Sequence, residues 1–469
     1  MLTKLSVSGF KSLDDVTVHF GPFTCIAGQN GAGKSNLFDV ILFLSDLTRM
    51  PIMDAARRVR DRSEKPGGPI ASIFTRTRDG MRDTMAIAAE FIVPGSVVDD
   101  FNQRAEPSVA LLRYELELRF TPTDEVESER ILLVKEALRY IPKSEFRGAL
   151  FPTSGMFWDS VKGGTKTSPF ISTSEDKDSI FVHQDGNGKS GRPERFSALG
   201  ARRTVLSTIS SVDRPTAFAA RREMESWVLL QLEPSALRKE DEFSTPSDVK
   251  VSPTGAHMPA TLRRLGADGL IASRLSELLP DVGELSVDID ERRQTKTLVM
   301  TNKDGISFPA KALSDGTLRF LALAIMHADR DAGGVICLEE PENGIHPSRV
   351  SAMTRLLRDM AVDPQEAVGD DNPLRQVIIN THSPLVVQSL RTADLVVCGS
   401  YRQDGATYTD FSFVAETWRA ALMPDHHPTS LGTLVAYLSK PEEADWSQSE
   451  TVRQRLETQL TLPLREIAH

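Results

Sequence analysis

Hydrophobic and polar residues follow a regular pattern near the start of the chain. Residues 2–7 and 16–20 alternate between apolar and polar side chains, the two-residue period of a strand with one buried face. Residues 23–27 form a short apolar run that ends at a glycine, and this run also predicts a strand. From residue 34 to about 47, apolar residues recur at helical spacing. The chain therefore begins with three predicted strands and an amphipathic helix.

Three later segments, 85–93, 110–120 and 131–140, also predict strands. We expect them to pair antiparallel and to form, with the opening strands, a β-rich lobe around the first helix. Residues 63–80 are rich in proline, glycine and charge, and residues 163–195 are rich in glycine, serine, threonine and charge. Both compositions predict loops, and for 163–195 we expect mobile ones.

The second half of the chain predicts a parallel sheet covered by helices. Helical spacing returns at 217–230 and 260–279 without sustained heptads, so long coiled-coil arms are not expected. From Ser314 onward helix and strand alternate, and this alternation is typical of an α/β fold. The predicted elements are a helix to 327, a strand at 335–338, a helix at 350–360 and strands at 376–380 and 395–398.

The charge balance is acidic, with 55 basic against 65 acidic residues and a net charge of -10. Such a balance opposes a protein that coats nucleic acid without sequence preference. A local basic groove stays open as an alternative, and its densest candidate is the run of arginines and lysine over residues 57–65. The favoured interpretation of that run is a solvated face.

Cysteine content and hydropathy indicate a cytoplasmic protein. The three cysteines, Cys25, Cys337 and Cys398, are widely spaced, so we expect neither a disulfide framework nor a cysteine-based zinc site. No apolar run is long enough to span a membrane, and residues 1–12 lack the apolar core of a secretion signal. We therefore expect no membrane partner.

The strongest motif is a phosphate-binding loop between the third predicted strand and the first helix. Its pattern is G-x-x-x-x-G-K-S, in which glycines let backbone N–H groups surround a polyphosphate at a helix amino terminus. The lysine would reach the β- and γ-phosphates of ATP, and the serine hydroxyl would bind Mg²⁺. The loop consists of Gly28, Gln29, Asn30, Gly31, Ala32, Gly33, Lys34 and Ser35.

An acidic pair at the end of the apolar run 335–338 provides the second part of a nucleotide site. Glu339 would hold Mg²⁺, and Glu340 could act as general base toward the attacking water. Aspartate is usual at the first position, so Glu339 is one methylene longer. The alternative is an ordinary strand that ends in two surface glutamates.

Two short motifs follow the phosphate-binding loop at long range. Leu313-Ser314-Asp315-Gly316-Thr317 precedes a predicted helix, with Ser314 as a candidate N-cap. Residues 380–384 place His382 after an apolar strand. Each motif alone carries little information, since capping serines and histidines at strand ends are often structural. Their order behind the loop carries the information.

That order resembles the ABC-type ATPase head, in the branch related to RecF and SMC proteins. Within this branch the chain is similar to the compact prokaryotic ATPases of the overcoming-lysogenisation and Septu defence systems. The resemblance covers about residues 1–140 and 260–400. It rests on FKSL at 10–13, LSDGTLRF at 313–320, EEPENGIHP at 339–347 and THSP at 381–384.

The resemblance implies a P-loop ATPase divided into four parts. These are an N-terminal ATPase lobe at 1–140, a loop-rich and helical insertion at 141–260, a C-terminal ATPase lobe at 261–400 and an extension at 401–469. Two subunits would meet head to tail as a homodimer or within a higher homo-oligomer. ATP bound to one P-loop would then be capped by the signature segment of the partner, here Ser314, Asp315 and Gly316.

The resemblance also implies roles for several further residues. His382 would be the switch histidine that contacts the γ-phosphate, and residues 343–346 would couple the two sites of the dimer. Lys11 and Ser12 stand where related proteins contact nucleotide phosphates, although a plain surface lysine is the alternative for Lys11. A Q-loop glutamine is implied as well, and the sequence does not locate it.

Three functions remain open at this stage. The first is the ATPase subunit of a prokaryotic antiviral defence system that regulates a separate effector protein. No nuclease motif follows His382, and His426 and His427 lie in a predicted polar turn rather than a metal site. The second is a RecF-like clamp in DNA repair, which binds DNA when ATP drives dimerisation. The third is a nucleotide-gated scaffold with negligible turnover.

Overall fold

The fold was analysed in a computed structural model of the chain. Two sequence hypotheses lie outside the residues that it describes: the basic run beyond residue 59, and the pair His426 and His427. The described residues are 1–59, 70–78, 80–122, 129–148, 150–161, 163, 168–185, 192–210, 213–266, 268–279, 281–331, 333–403, 405–423 and 428–439.

In the described part of the chain, the strands form two large sheets and three small ones. In chain order they are β1 (Leu2–Ser8), β2 (Val16–His19), β3 (Phe23–Ala27), β4 (Arg76–Thr77), β5 (Gly80–Met81), β6 (Thr84–Ile92), β7 (Val97–Val98), β8 (Arg104–Ala105), β9 (Leu111–Thr121), β10 (Arg130–Tyr140), β11 (Ile171–Thr173), β12 (Ser179–Val182), β13 (Glu194–Ser197), β14 (Val228–Leu230), β15 (Asp241–Glu242), β16 (Val282–Asp290), β17 (Thr295–Asn302), β18 (Ser307–Pro309), β19 (Gly334–Glu339), β20 (Arg375–Thr381), β21 (Leu395–Gln403) and β22 (Ala406–Phe413).

The α-helices connect these strands and cover the sheets. They are α1 (Lys34–Leu47), α2 (Ile52–Arg58), α3 (Lys143–Gly148), α4 (Gly155–Ser160), α5 (Pro215–Glu225), α6 (Pro234–Leu237), α7 (Met258–Leu265), α8 (Asp268–Leu278), α9 (Asp315–Ala328), α10 (Val350–Asp359), α11 (Pro384–Gln388), α12 (Trp418–Leu422) and α13 (Leu431–Leu438). No helix in the described ranges has the length and hydrophobicity to cross a membrane.

A six-stranded sheet brings the sequence motifs together. Its order is β14-β19-β20-β3-β21-β22, and every neighbouring pair is parallel except β21 with β22. The register places Glu339 opposite Asn380 and Thr381 opposite Ala27, so the carboxyl ends of β19, β20 and β3 meet at one edge. This arrangement confirms the predicted α/β, P-loop NTPase fold class, because such folds bind ligands at the carboxyl ends of their parallel strands.

The second large sheet is antiparallel and has the order β13-β12-β11-β10-β9-β6-β1-β2. The buried side of α1 shares one hydrophobic core with this sheet, as the predicted β-rich lobe requires. One strand was assigned wrongly: β3 belongs to the parallel sheet. All five residues of β3 are buried, which suits a strand covered on both faces.

Several elements differ from the sequence-based predictions. The segment 163–195, expected to be loops, contributes β11, β12 and part of β13, which extend the antiparallel sheet. The predicted helix at 217–230 ends at Glu225 and continues as β14, and the one at 260–279 is broken at Gly266, where φ is 56°. Strands β16, β17 and β22 were not predicted. The division into four parts stays a prediction.

Candidate active site

The phosphate-binding loop connects β3 to α1 at the edge where the parallel strands end. Two of its glycines are required by their surroundings. A Cβ on Gly28 would lie 2.2 Å from the Cys398 carbonyl oxygen, and one on Gly33 would lie 1.9 Å from Oγ1 of Thr409. Gly33 also has a φ of 102°, which favours glycine. The loop therefore fits closely against β21 and β22.

Lys34 begins α1 and is almost entirely buried. Its Nζ donates hydrogen bonds to the carbonyl oxygens of Gly28 and Gln29, at 2.7 and 2.8 Å. Burial lowers the pKa of Lys34, and the carboxylates of Glu340 and Glu342 act in the opposite direction. The ammonium group thus lies at the floor of the loop, the position from which a cation can contact phosphate oxygens.

Ser35 and Glu339 are in direct contact, as a shared Mg²⁺ site requires. The Ser35 hydroxyl donates to Oε1 of Glu339 at 2.6 Å, and Asn380 Nδ2 lies 3.4 Å from the same oxygen. Mg²⁺ prefers oxygen ligands and is usually held by one or two protein groups together with water and phosphate oxygens. The pair fits that ion, whereas the described residues contain no group of three histidine, cysteine or acidic side chains suited to a metal.

Glu340 is held by two neighbours. His382 Nδ1 lies 2.8 Å from its Oε1, and Asn343 Nδ2 donates to its Oε2 at 2.8 Å. The backbone N–H of Glu340 is also bound by Asn380, through both the carbonyl oxygen and Oδ1. With a φ of 42°, Glu340 occupies the left-handed region, a strained conformation that is common at functional sites. The alternative of two unpartnered surface glutamates does not hold.

The predicted loop, acids and Lys11 line one cleft of about 530 Å³. A second cavity of about 630 Å³ shares Lys11, Gly31 and Asn36 with it. Residues that line the first cleft are Lys11, Asn30, Gly31, Gly33, Lys34, Ser35, Asn36, Asp39, Glu339, Glu340, Asn343 and Asn380.

Lys11 and Ser12 lie beside the loop, in the turn that follows β1. Lys11 Nζ is 3.0 Å from Oδ2 of Asp39 on α1, and its side chain is only 13% exposed. The alternative of a plain surface lysine is therefore wrong. The Ser12 hydroxyl contacts Thr409 and Asn36. Direct contact of these two residues with nucleotide phosphates stays a prediction.

The signature segment does not line the described part of the loop cleft of its own chain. Ser314 caps α9 as predicted, with the Thr317 N–H donating to its hydroxyl at 3.2 Å. Ser314 and Asp315 are exposed, and Asp315 pairs with Arg238. Among the described residues that line the loop cleft, none belongs to this segment.

Contacts connect the signature helix to the acidic pair within one chain. Arg319 of α9 donates to the Asn343 carbonyl oxygen at 2.8 Å, and the Asn343 side chain binds Glu340. A Cβ on Gly316 would lie 3.3 Å from the Gly344 carbonyl oxygen, so the segment also packs against the loop 343–346. Residues 343 and 344 thus contact α9, and Asn343 also contacts Glu340, while the coupling role of residues 343–346 stays a prediction.

The sequence did not reveal three residues at this site. Asn380 binds both Glu339 and Glu340, and Thr409 contacts the phosphate-binding loop from β22. Gln231 directly follows β14, the neighbour of β19, and lines a cavity with Glu339 and Glu340. Gln231 therefore lies close to the acidic pair. The one sequence signal for Asn380 is its position directly before the THSP motif at 381–384.

Comparisons with known proteins support an ATPase domain of AAA type. Residues 160–388 match the family described as "AAA domain, putative AbiEii toxin, Type IV TA system", and residues 4–49 match a family described as "AAA domain". The second match spans the phosphate-binding loop, and the first spans the signature, Glu339, Glu340 and His382. A search of curated proteins found no match.

Among solved structures, the chain is similar to SMC head domains at 12% identity. One is an SMC head bound to the C-terminal winged-helix domain of ScpA, with a TM-score of 0.47, 88% of this chain covered and 98% of that chain. The head from Thermotoga maritima has a TM-score of 0.37, with coverages of 87% and 97%. A head from Pyrococcus furiosus bound to ScpA has a TM-score of 0.43, with coverages of 88% and 96%. Similarity of this extent carries no conclusion about function.

Proposed function

We propose that this chain binds ATP with Mg²⁺ and hydrolyses it. The observation that carries the proposal is the meeting of Lys34, Ser35, Glu339 and Glu340 in one cleft. A buried cation, an oxygen pair suited to Mg²⁺ and a carboxylate beyond them are the parts that phosphoryl transfer to water requires.

The geometry suggests how the residues divide the reaction. Lys34 would bind the β- and γ-phosphates, and Ser35 and Glu339 would hold Mg²⁺, which neutralises phosphate charge when bound. Glu340 would orient the attacking water and accept its proton. His382 contacts Glu340 and would also contact the γ-phosphate, so that it connects the phosphate to the carboxylate. Asn380 fixes the backbone of Glu340, so the carboxylate is aimed before the substrate arrives.

The site would be completed by a second copy of the chain. Ser314 and Asp315 are exposed and Gly316 is half-buried. None of the three lines the described cleft of its own chain, and a partner's ATP could be capped at this segment. Binding of the partner at the signature segment could then change the position of the catalytic carboxylate through the Arg319–Asn343–Glu340 contacts. A homodimer with two composite sites accounts for both observations.

We further propose that the ATPase regulates a separate effector protein in a prokaryotic defence system. The net charge of -10 supports this role over a DNA clamp. The matching family, whose description names a toxin and a type IV TA system, also supports a search for a protein partner. DNA binding that strengthens with ATP and weakens steeply with salt would favour the clamp instead.

The proposed site can be tested by ATP binding to the purified chain. Lys34→Ala removes the phosphate cation and should abolish measurable binding in calorimetry. Lys250→Ala is the control, since Lys250 is an exposed lysine that contacts only the Asp331 carbonyl among the contacts described. Equal ATP affinity in wild type and Lys34→Ala would reject the site.

A further inference from the structure

A series of hydrogen bonds through two hydroxyl groups connects β22 to the phosphate-binding loop. Thr409 lies on β22, outside both regions of the motif resemblance, and its side chain is 1% exposed. Its Oγ1 donates to the Ala32 carbonyl oxygen at 3.1 Å and lies 2.6 Å from the Ser12 hydroxyl. Asn36 Nδ2 donates to that same Ser12 hydroxyl at 2.6 Å. Three separate segments of the chain therefore meet at the loop.

The direction of these hydrogen bonds follows from the number of protons. A hydroxyl group has one proton to donate, and a carbonyl oxygen has none. Either hydroxyl can be the donor in the Ser12–Thr409 pair, and when Thr409 gives its proton to Ala32, the Ser12 hydroxyl is the one that donates. The Ser12 oxygen in turn accepts from Asn36. The order is Asn36 to Ser12 to Thr409 to Ala32, and the only hydroxyl proton of Ser12 is used within it.

Two further hydrogen bonds stabilise the position of the Ala32 carbonyl. The Cys398 thiol also donates to it, at 3.6 Å, and burial raises the pKa of Cys398 to about 12, which keeps that proton in place. The Thr409 N–H donates to the Ser12 carbonyl oxygen at 2.8 Å, which fixes the two segments to each other. These contacts direct the Ala32 carbonyl oxygen toward β21 and β22.

We propose that Thr409 is a positioning residue for the phosphate-binding loop and that Ser12 acts through it, not by donating a hydrogen bond to the nucleotide. This inference rests on the proposed function, since it concerns the affinity of the same site for ATP. It differs from the role that the motif resemblance implies for Ser12. It also makes β22, in the extension, a part of the nucleotide site.

Coupled substitutions test the proposal. ATP affinity would be measured by calorimetry for Thr409→Val, Ser12→Ala and the double variant. Thr409→Val leaves a buried carbonyl without its hydroxyl donor and should weaken ATP binding about tenfold. Because Ser12 works through Thr409, the double variant should bind no more weakly than Thr409→Val alone. Thr409→Ser keeps the hydroxyl and should bind like wild type.

A buried hydroxyl on the same strand provides the control. Ser412 lies three residues further along β22 and contacts Thr429, and none of the described side-chain hydrogen bonds joins it to the loop or to Ser12. Ser412→Ala should leave ATP affinity unchanged. If circular dichroism shows that Thr409→Val does not fold, Thr409→Ala takes its place in the series.

Each result separates the two proposals. Losses that add up in the double variant would mean that Ser12 contacts ATP independently, and this would overturn the inference. Wild-type affinity in Thr409→Val would overturn it as well, while leaving the proposed function intact. Failure of the unaltered chain to bind ATP would overturn both.

Discussion

At Gly33 the backbone of the phosphate-binding loop turns with a φ of 102° directly against Thr409. This close approach places the amino terminus of α1 over the cleft, with Lys34 at its floor. Gly31 has a similar φ of 76°, but a Cβ there would meet nothing within 4 Å. Gly33 is therefore required both by its backbone conformation and by the lack of space for a Cβ, whereas Gly31 is required only by its backbone conformation.

This difference predicts unequal effects of two alanine substitutions. Gly33→Ala should abolish ATP binding, because its Cβ can fit only if the loop moves away from β22. Gly31→Ala meets only the left-handed penalty of roughly 1–2 kcal/mol, so binding should weaken but remain measurable. Fluorescent ATP titration compares the variants. Equal affinity in both would show that contact with β22 does not shape the loop.

The sequence motifs identified most of the charged residues in the cleft, but not the residues that orient them. Lys34, Ser35 and the acidic pair lie in patterns with fixed local spacing, so the sequence alone could locate them. Asn380 and Thr409 act through strands that are distant in sequence, and their roles depend on sheet order and register. No local pattern reports that kind of contact.

At the scale of single elements, Glu136 joins the insertion to the antiparallel sheet. It lies on β10, is fully buried, and accepts hydrogen bonds from the N–H groups of Val205 and Leu206 and from the Tyr114 hydroxyl. Burial raises the pKa of Glu136 from 4.5 to about 7, although these three donors favour the charged form. The junction therefore titrates near neutral pH.

This shift predicts how stability depends on pH. Folded Glu136 keeps its proton up to about pH 7, whereas the unfolded chain releases it near 4.5, so stability is lost as pH rises through this window. The contribution amounts to at most about 3 kcal/mol. Urea unfolding between about pH 5 and 7 should show a smaller loss in Glu136→Gln than in wild type.

Glu115→Gln is the matched control on the neighbouring strand. Burial opposes the shift there, but Lys135, Arg139 and Arg113 together lower the pKa of Glu115 below 4.5. Its titration therefore affects stability only at more acidic pH, and the slope above pH 5 should equal that of wild type. If Glu136→Gln shows that same slope, Glu136 is not the group that titrates.

The spacing of apolar residues predicted an element best where the same pattern of burial extends along its whole length. The buried run of β3 and the apolar side of α1 were found with the observed bounds. β16 was not predicted, although apolar Leu285, Val287 and Ile289 alternate with polar residues along it. The helix predicted at 217–230 was too long because the apolar residues of β14 continue the pattern of α5. Burial in a neighbouring sheet, which sequence spacing does not encode, decides such boundaries.

At the scale of the whole molecule, the cleft and the signature segment lie in different places on one chain. A subunit alone would therefore hold ATP without the groups that cap it. Assembly would couple hydrolysis to the presence of a partner, which suits a protein that regulates an effector.

Ser314→Arg tests this assembly. The variant should bind ATP like wild type but lose turnover, because its defect lies only across the interface. Mixing it with Lys34→Ala should recover part of the turnover, since each mixed dimer then contains one intact composite site. Ser244→Arg, an exposed serine elsewhere, should behave like wild type. Normal turnover in Ser314→Arg alone would reject the composite site, and so would absence of recovery in the mixture.

The most direct test of the central claim is steady-state ATP turnover by the purified chain, with wild type beside Glu340→Gln. We predict turnover in wild type and a loss of at least about 100-fold in Glu340→Gln, which removes the general base while ATP binding is retained. Equal turnover in the two proteins would contradict the assignment of Glu340. ATP binding without turnover in wild type would contradict autonomous hydrolysis and indicate a nucleotide-gated scaffold.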